Sequence, residues 1–161
     1  MSTSNNQLAK GKVKVGDAAP DFTLPSQTGN TVSLRDLIGK KSIVLYFYPK
    51  DNSPICTAEA CSFRDSYEVF KDAGAEVIGV SSDSAQSHQQ FATRNNLPFI
   101  LLSDENGAVR KLYGVPSTLG LVPGRVTYII DKQGIVRNIF SSQFTPEKHI
   151  KEALKTLQSF S

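Results

Sequence analysis

The apolar residues of this chain follow two kinds of pattern. Short continuous or alternating apolar runs indicate strands, and segments in which apolar residues recur every three or four positions indicate helices. The run SIVLYFY at residues 42–48 is apolar at nearly every position, which is typical of a strand buried on both faces. Two further strand-like runs, AEVIGVSSD and FILLSD, follow it after helical segments. This alternation predicts a sheet with a parallel part.

A hairpin is predicted on each side of this arrangement. Two short alternating stretches flank Gly29 and Asn30, and the runs RVTYIID and IVRNIFSS flank a turn at residues 132–134, as expected for antiparallel hairpins. A terminal helix follows, with Pro146 at its first position, where proline is well tolerated. The predicted fold is therefore α/β and thioredoxin-like, a central mixed sheet flanked by helices, with an N-terminal β-hairpin extension.

Both cysteines, Cys56 and Cys61, lie in one predicted helical segment. Apolar residues recur there at Phe63, Tyr67 and Phe70, and we expect a single helix over residues 53–74. On an intact helix, residues five apart have Cα atoms separated by about 8.6 Å, whereas a disulfide needs Cα atoms within about 7 Å. A bond between these two cysteines would therefore require the first helical turns to unwind.

The helix start defines the surroundings of Cys56. Ser53 is the predicted N-cap and Pro54 the first helical residue, so Cys56 falls in the first turn. The unpaired N–H groups and the positive end of the helix dipole favour the thiolate there, which is the nucleophilic form. Burial as a small apolar side chain would suit Cys61 better, because a junction between loop and helix is rarely deep in a core.

Composition favours a single soluble domain over residues 1–161, of which residues 1–12 form a polar, flexible arm. The formal net charge is +3, and acidic and basic residues are interleaved, so no nucleic-acid partner is indicated. No apolar run approaches the roughly 20 residues of a membrane span. The start lacks the apolar core of a secretory signal. We expect a cytoplasmic location, or a stroma-like compartment if a presequence has been removed.

A pair of cysteines in a reducing compartment is typical of a catalytic or metal site rather than of a structural disulfide. A metal site is the weaker interpretation, because His88 and His149 lie far from both cysteines and lack zinc-ligand spacing. Both histidines fall in predicted helices, and we expect them at the surface.

The residues around Cys56 match a known signature. Pro49, Ser53 and Cys56 fit the pattern P-x-x-x-(T/S)-x-x-C, and the second cysteine follows in CTAEACSFRD. The chain thereby resembles the peroxiredoxins, in particular the PrxQ or bacterioferritin-comigratory-protein subfamily. The similarity runs from GDAAPDFTL through LSDENGAVRKLYGV and PGRVTYIIDKQG to FTPEKHI. One departure is Ile55, where the family often has glycine, and it bears on pocket access and on the ease of unwinding.

The resemblance implies a thiol peroxidase that reduces hydrogen peroxide and organic hydroperoxides. Cys56 would attack the O–O bond and become a sulfenic acid, and Cys61 would resolve it as an intramolecular Cys56–Cys61 disulfide. A dithiol, in this family usually thioredoxin, would then reduce the disulfide. No cofactor or metal is implied, because sulfur itself carries the electrons. Since the disulfide needs no second subunit, we expect a monomer.

Further site residues are implied by the same resemblance. Ser53 would hydrogen-bond the peroxide as well as cap the helix, and Pro49 would shield the pocket, although a strand terminator explains it equally well. Arg125 would stabilise the thiolate and the polarised peroxide oxygens. Without the family it would be interpreted as a surface arginine at a strand start. Glu59 is a candidate partner for Arg125, although an acid in an early helical turn is favourable in any protein.

Two alternatives remain open at this stage. One is a thioredoxin-like protein disulfide oxidoreductase, which the lack of a C-x-x-C motif disfavours. The other is a non-enzymatic redox sensor that uses unwinding at Cys56 and Cys61 to expose a binding surface. Peroxide turnover distinguishes both from a peroxidase.

Overall fold

Strands and helices alternate along the chain in the order that the apolar patterns predict. The structure is a computed structural model that describes residues 13–118, 122–143 and 145–160; the arm expected at residues 1–12 lies outside the described residues. The strands are β1 (Thr23–Pro25), β2 (Thr31–Ser33), β3 (Ser42–Phe47), β4 (Ala75–Ser81), β5 (Ile100–Ser103), β6 (Ser117–Thr118), β7 (Val122–Pro123), β8 (Val126–Ile130) and β9 (Val136–Ser141). The helices are α1 (Pro54–Asp65), α2 (Tyr67–Asp72), α3 (Ala85–Asn95), α4 (Ala108–Tyr113) and α5 (Pro146–Phe160).

The central sheet has the strand order β5-β4-β3-β8-β9. Strands β3, β4 and β5 are parallel, and β8 and β9 are antiparallel to their neighbours. Strands β1 and β2 form a separate antiparallel ribbon. This arrangement confirms the predicted mixed sheet and both predicted hairpins. No helix in the described part of the chain is long and apolar enough to cross a membrane.

Strand β3 is buried on both faces, as its continuous apolar run predicts. Successive side chains of a strand point to opposite faces, so Ile43, Leu45 and Phe47 enter one hydrophobic cluster and Val44 and Tyr46 enter the other. The second cluster also contains residues of α1, α2, α3 and α5. Helix α1, which carries both cysteines, therefore rests against the centre of the sheet.

The single helix expected over residues 53–74 is wrong, because the chain forms two helices that meet at Ser66. The N–H of Ser66 donates to the carbonyl of Ser62, and Ser66 itself has φ −102° and ψ 7°. Serine favours helix ends over helix interiors. The break leaves Phe63 and Phe70 in contact within the same cluster, with ring centroids 5.7 Å apart.

The expectation of surface histidines is also wrong, since His88 and His149 are both fully buried. Each Nε2 donates to a backbone carbonyl, of Leu102 at 2.9 Å and of Ser142 at 2.8 Å. Burial without a hydrogen-bond partner would be costly for a polar ring. Treating histidine as polar in the helical pattern concealed this, because the ring has an apolar body that packs like an aromatic residue.

Candidate active site

The start of α1 has the predicted register. Ser53 is extended (φ −71°, ψ 149°), Pro54 is the first helical residue, and the N–H of Thr57 donates to the carbonyl of Ser53 at 2.9 Å. The side-chain cap expected from Ser53 is absent, because its hydroxyl donates to the carbonyl of Lys50 at 3.2 Å instead. Cys56 therefore lies in the first turn, where backbone N–H groups have no intrahelical acceptor.

The two cysteines differ in burial in the opposite sense to the one expected. Cys56 is 1% exposed and belongs to the cluster on the α1 face of the sheet, whereas Cys61 is half-buried. Cys56 shares that cluster with Tyr46 and Tyr48, although Asn52 and Pro54 of the same junction are exposed. The Cys61 thiol lies 3.8 Å from Oδ1 of Asn95 on α3. Both cysteines are free thiols with no disulfide between them, and the helix that carries them is intact.

Arg125 is 4% exposed, in contrast to the surface position that its place in the sequence alone suggests. Its Nη1 donates to Oε1 of Glu59 at 2.7 Å, which confirms the predicted pairing, and its Nε donates to the carbonyl of Gln143 at 3.1 Å. The register of β3 against β8, with Phe47 opposite Val126, brings Arg125 beside the chain that leads to Pro49. A contact between two residues that are 66 positions apart in the sequence thus completes the site.

The charges of this site are coupled. Burial raises the pKa of Glu59 to about 7, although the charge and hydrogen bond of Arg125 act in the opposite direction. Burial also acts to lower the pKa of Arg125, but the charges of Glu59 and Cys56, and hydrogen bonds to both, hold it above its ordinary value. The buried Arg125 guanidinium therefore interacts with both the Glu59 carboxyl group and the Cys56 thiol.

Behind this pair lies His149, which the sequence interpretation missed. Its Nδ1 is 2.7 Å from the hydroxyl of Thr127 and 3.6 Å from Oε2 of Glu59. Burial lowers the pKa of His149, the Ser142 carbonyl opposes this shift, and the charge of Arg125 adds to it. A neutral His149 with its proton on Nε2 then accepts from Thr127. The signal available in the sequence was its position next to the buried Ile150 on the apolar face of α5.

The loop before α1 is anchored by a second buried group that the sequence interpretation missed. Asp51 is 3% exposed; its Oδ1 accepts from Tyr48 at 2.6 Å, and its Oδ2 faces the hydroxyl of Ser87 at 2.8 Å and Nδ1 of His88 at 2.7 Å. Its N–H donates to Asp83 at 2.8 Å. No motif in the sequence marks Asp51, because its partners come from a different part of the chain.

Asp51, Asp83 and His88 are also the cluster best suited to a metal ion among the described residues, with their ligand atoms within 4.8 Å of one another. Each of those atoms is already engaged in a hydrogen bond within the protein. Buried acidic and imidazole groups satisfied in this way need no ion to account for them. The hydrogen bonds that anchor the loop before α1 account for the close approach of these three side chains.

The structure thus brings Cys56, Glu59 and Arg125 together, with Ser53 and the half-buried Pro49 on the adjoining loop. Cys61 stands apart, further along α1. A thiol beside a fixed cation at a helix start is suited to nucleophilic attack.

Comparison with known proteins agrees with this chemistry. The sequence pattern of the AhpC/TSA family matches residues 15–139. Peroxiredoxin Q, chloroplastic, of Oryza sativa subsp. japonica is 56% identical over 159 residues, which cover 98% of this chain and 73% of the rice protein. Peroxiredoxin Q, chloroplastic, of Triticum aestivum is 58% identical over 150 residues, covering 92% of this chain and 69% of the wheat protein.

Solved structures show the same fold. The peroxidoxin BcpB of Mycobacterium tuberculosis superposes with a TM-score of 0.86 at 37% identity, covering 92% of this chain and 99% of that one. Peroxiredoxin Q of Xanthomonas campestris superposes with a TM-score of 0.81 at 28% identity, covering 94% and 98%. This chain therefore belongs to the AhpC/TSA family and is a thiol-dependent peroxidase of its peroxiredoxin Q group.

Proposed function

We propose that Cys56 is the residue that attacks the peroxide and that Cys61 resolves the product. The observation that carries this assignment is the buried Arg125 guanidinium, which donates to the carboxyl group of Glu59 at 2.7 Å and whose pKa is raised by the charges of Glu59 and of Cys56 in the first turn of α1. A fixed cation stabilises a thiolate and the charge that develops on peroxide oxygens during O–O cleavage. Cys61 lies further along the helix, where the cation that its charge acts on, Arg64, is 33% exposed rather than buried.

The proposed cycle has three steps. The Cys56 thiolate attacks one peroxide oxygen, becomes a sulfenic acid and releases water or an alcohol. After the first turns of α1 unwind, Cys61 displaces water from the sulfenic acid to form the Cys56–Cys61 disulfide. A dithiol of the thioredoxin type then reduces the disulfide by exchange. Ser53 is proposed to hydrogen-bond the peroxide, and Pro49 to limit the access of water to it.

We also propose the compartment, the oligomeric state and the domain organisation of this protein. The chloroplastic location in the names of the plant relatives supports a stroma-like compartment. An intramolecular disulfide supports a monomer. Hydrophobic clusters on both faces of one sheet support a single domain.

The experiment that tests the assignment compares peroxide turnover by wild type, Cys56→Ser and Cys61→Ser, with Ser62→Ala on the same helix as the control. Cys56→Ser should lose turnover, because a serine hydroxyl is protonated at neutral pH. Cys61→Ser should consume one equivalent of peroxide and then stall. Full thioredoxin-dependent turnover by Cys61→Ser would show that the two-cysteine cycle is wrong.

A further inference from the structure

Asn95, the last residue of α3, contacts α1 through both its side chain and its backbone. The Cys61 thiol donates to its Oδ1 at 3.8 Å, and its carbonyl oxygen accepts from Nη1 of Arg64 at 2.8 Å. Its own Nδ2 donates to the carbonyl of Phe91 at 3.0 Å, which leaves Oδ1 as the atom that faces the thiol. The Cys61 thiol therefore has a fixed acceptor on a neighbouring helix.

Disulfide formation affects these two contacts differently. Cys61 has to leave Oδ1 of Asn95 before it reaches Cys56, because the two cysteines cannot bond while the first turns of α1 are helical. Arg64 lies further along α1 and donates to a carbonyl at the end of α3, where carbonyls lack intrahelical donors and a cation is favoured. Phe63 beside it is fully buried in the cluster on that face of the sheet. The Arg64 contact is therefore compatible with the disulfide, and the Cys61 contact is not.

We propose that Asn95 is a positioning residue for the resolving step, because its side chain holds Cys61 on the intact helix until unwinding delivers Cys61 to Cys56. This inference rests on the proposed role of Cys61. The rate of disulfide formation equals the rate in the unwound state multiplied by the fraction of molecules that are unwound. A hydrogen bond made only in the helical state lowers this fraction. Asn95 thus slows the resolving step and leaves the oxidation of Cys56 by peroxide unchanged.

The resolving step balances without a further reactant. The Cys61 sulfur forms a bond to the Cys56 sulfur as the S–O bond of the sulfenic acid breaks. The hydroxyl group leaves as water with the proton of the Cys61 thiol, so Cys61 is oxidised and the Cys56 sulfenic acid is reduced. Asn95 takes no part in this exchange and acts only on the state from which Cys61 starts.

The test follows one turnover with hydrogen peroxide by quenched flow and mass spectrometry, which separates sulfenic acid formation from disulfide formation. Asn95→Ala should form the disulfide about threefold faster than wild type, a modest factor because sulfur is a weak hydrogen-bond donor. Asn95→Asp keeps an oxygen acceptor but loses the amide N–H groups, so it should form the disulfide no faster than wild type. The rate of Cys56 oxidation should be the same in all three proteins. Gln90→Ala, an exposed amide on the same helix, is the matched control.

A merely structural contact between α1 and α3 predicts a different result. In that case Arg64→Ala, which removes the other contact to Asn95, would accelerate disulfide formation as Asn95→Ala does. We expect no acceleration in Arg64→Ala, because its contact is present in both states. Amide hydrogen exchange of the reduced protein is a second readout. Asn95→Ala should raise exchange about threefold across residues 57–61, the factor expected for the unwound fraction, and leave residues 67–70 unchanged.

The outcomes separate this inference from the proposed function. Absence of a Cys56–Cys61 disulfide in oxidised wild type would contradict the proposed function. A disulfide that forms at the same rate in wild type and Asn95→Ala would overturn this inference alone. Equal acceleration by Asn95→Ala and Asn95→Asp, or acceleration by Arg64→Ala, would overturn it as well.

Discussion

The Nδ1 of His88 lies 2.7 Å from Oδ2 of Asp51, and both side chains are buried. Nε2 of His88 donates to the carbonyl of Leu102. A hydrogen bond between Nδ1 and Oδ2 therefore needs a second proton, which lies between these two atoms. Asp51 lies two residues before Ser53. The pair therefore fastens the loop that leads into α1 to helix α3, and it helps to hold the thiol site in register.

His88→Leu should destabilise the protein by about 3–5 kcal/mol, because it leaves the buried Asp51 carboxyl group without its imidazole partner. Urea unfolding measures the loss, and Gln89→Leu, an exposed neighbour on α3, is the control. We also expect slower oxidation of Cys56, since the loop at Ser53 loses its anchor. An equal loss of stability in both variants would show that the pair does not anchor the loop.

Arg125→Ala should slow Cys56 oxidation by about 100-fold, the usual effect of removing one donor that stabilises developing charge. Quenched-flow oxidation followed by mass spectrometry measures the rate. Arg137→Ala is the matched control, because Arg137 also pairs with a carboxylate, Asp131 at 2.6 Å, but is 49% exposed and lies outside the site. Similar oxidation rates for the two variants would exclude Arg125 from the reaction.

Formation of the Cys56–Cys61 disulfide should unwind the first turns of α1, because the bridge does not fit an intact helix. Amide hydrogen exchange on the reduced and oxidised proteins measures this. Protection should fall across residues 55–61 and change little across residues 67–70, where α2 begins after the break at Ser66. Equal protection in both forms, with the disulfide verified by mass, would be incompatible with this register.

The stability of the reduced protein should fall as pH rises from the ordinary carboxyl pKa of 4.5 to the raised Glu59 pKa of about 7, and then level off. The native carboxyl group binds a proton that the unfolded chain has already released, so stability is greatest below the unfolded value and declines above it. Over this window Glu59 adds a slope of up to about −1.4 kcal/mol per pH unit. Glu59→Gln should remove this slope and Glu68→Gln should keep it, as measured by urea midpoints. An unchanged slope in Glu59→Gln would contradict the raised pKa.

Much of the local structure follows from the sequence because it depends on contacts between near neighbours. The unbroken apolar run of β3 is compatible only with a strand covered on both sides. Gly29, with φ +90°, permits the tight turn between β1 and β2. Pro54 after Ser53 specifies the start of α1, and that start sets the position of Cys56. Each of these signals acts within a few residues, so periodicity and turn chemistry are enough to detect it.

Tertiary structure alone decided which polar side chains are buried and what they contact. Cys56, His88, His149 and Arg125 are all buried, and each was expected to be more exposed from its own segment. Their partners lie on other strands and helices, and a residue's burial depends on what packs over it rather than on its neighbours in sequence. The Glu59–Arg125 pair was predicted only through family resemblance, whereas Asp51–His88 and Glu59–His149 join segments that no local pattern links. Local sequence thus placed the reactive thiol on its helix, and packing of distant segments supplied the charges around it.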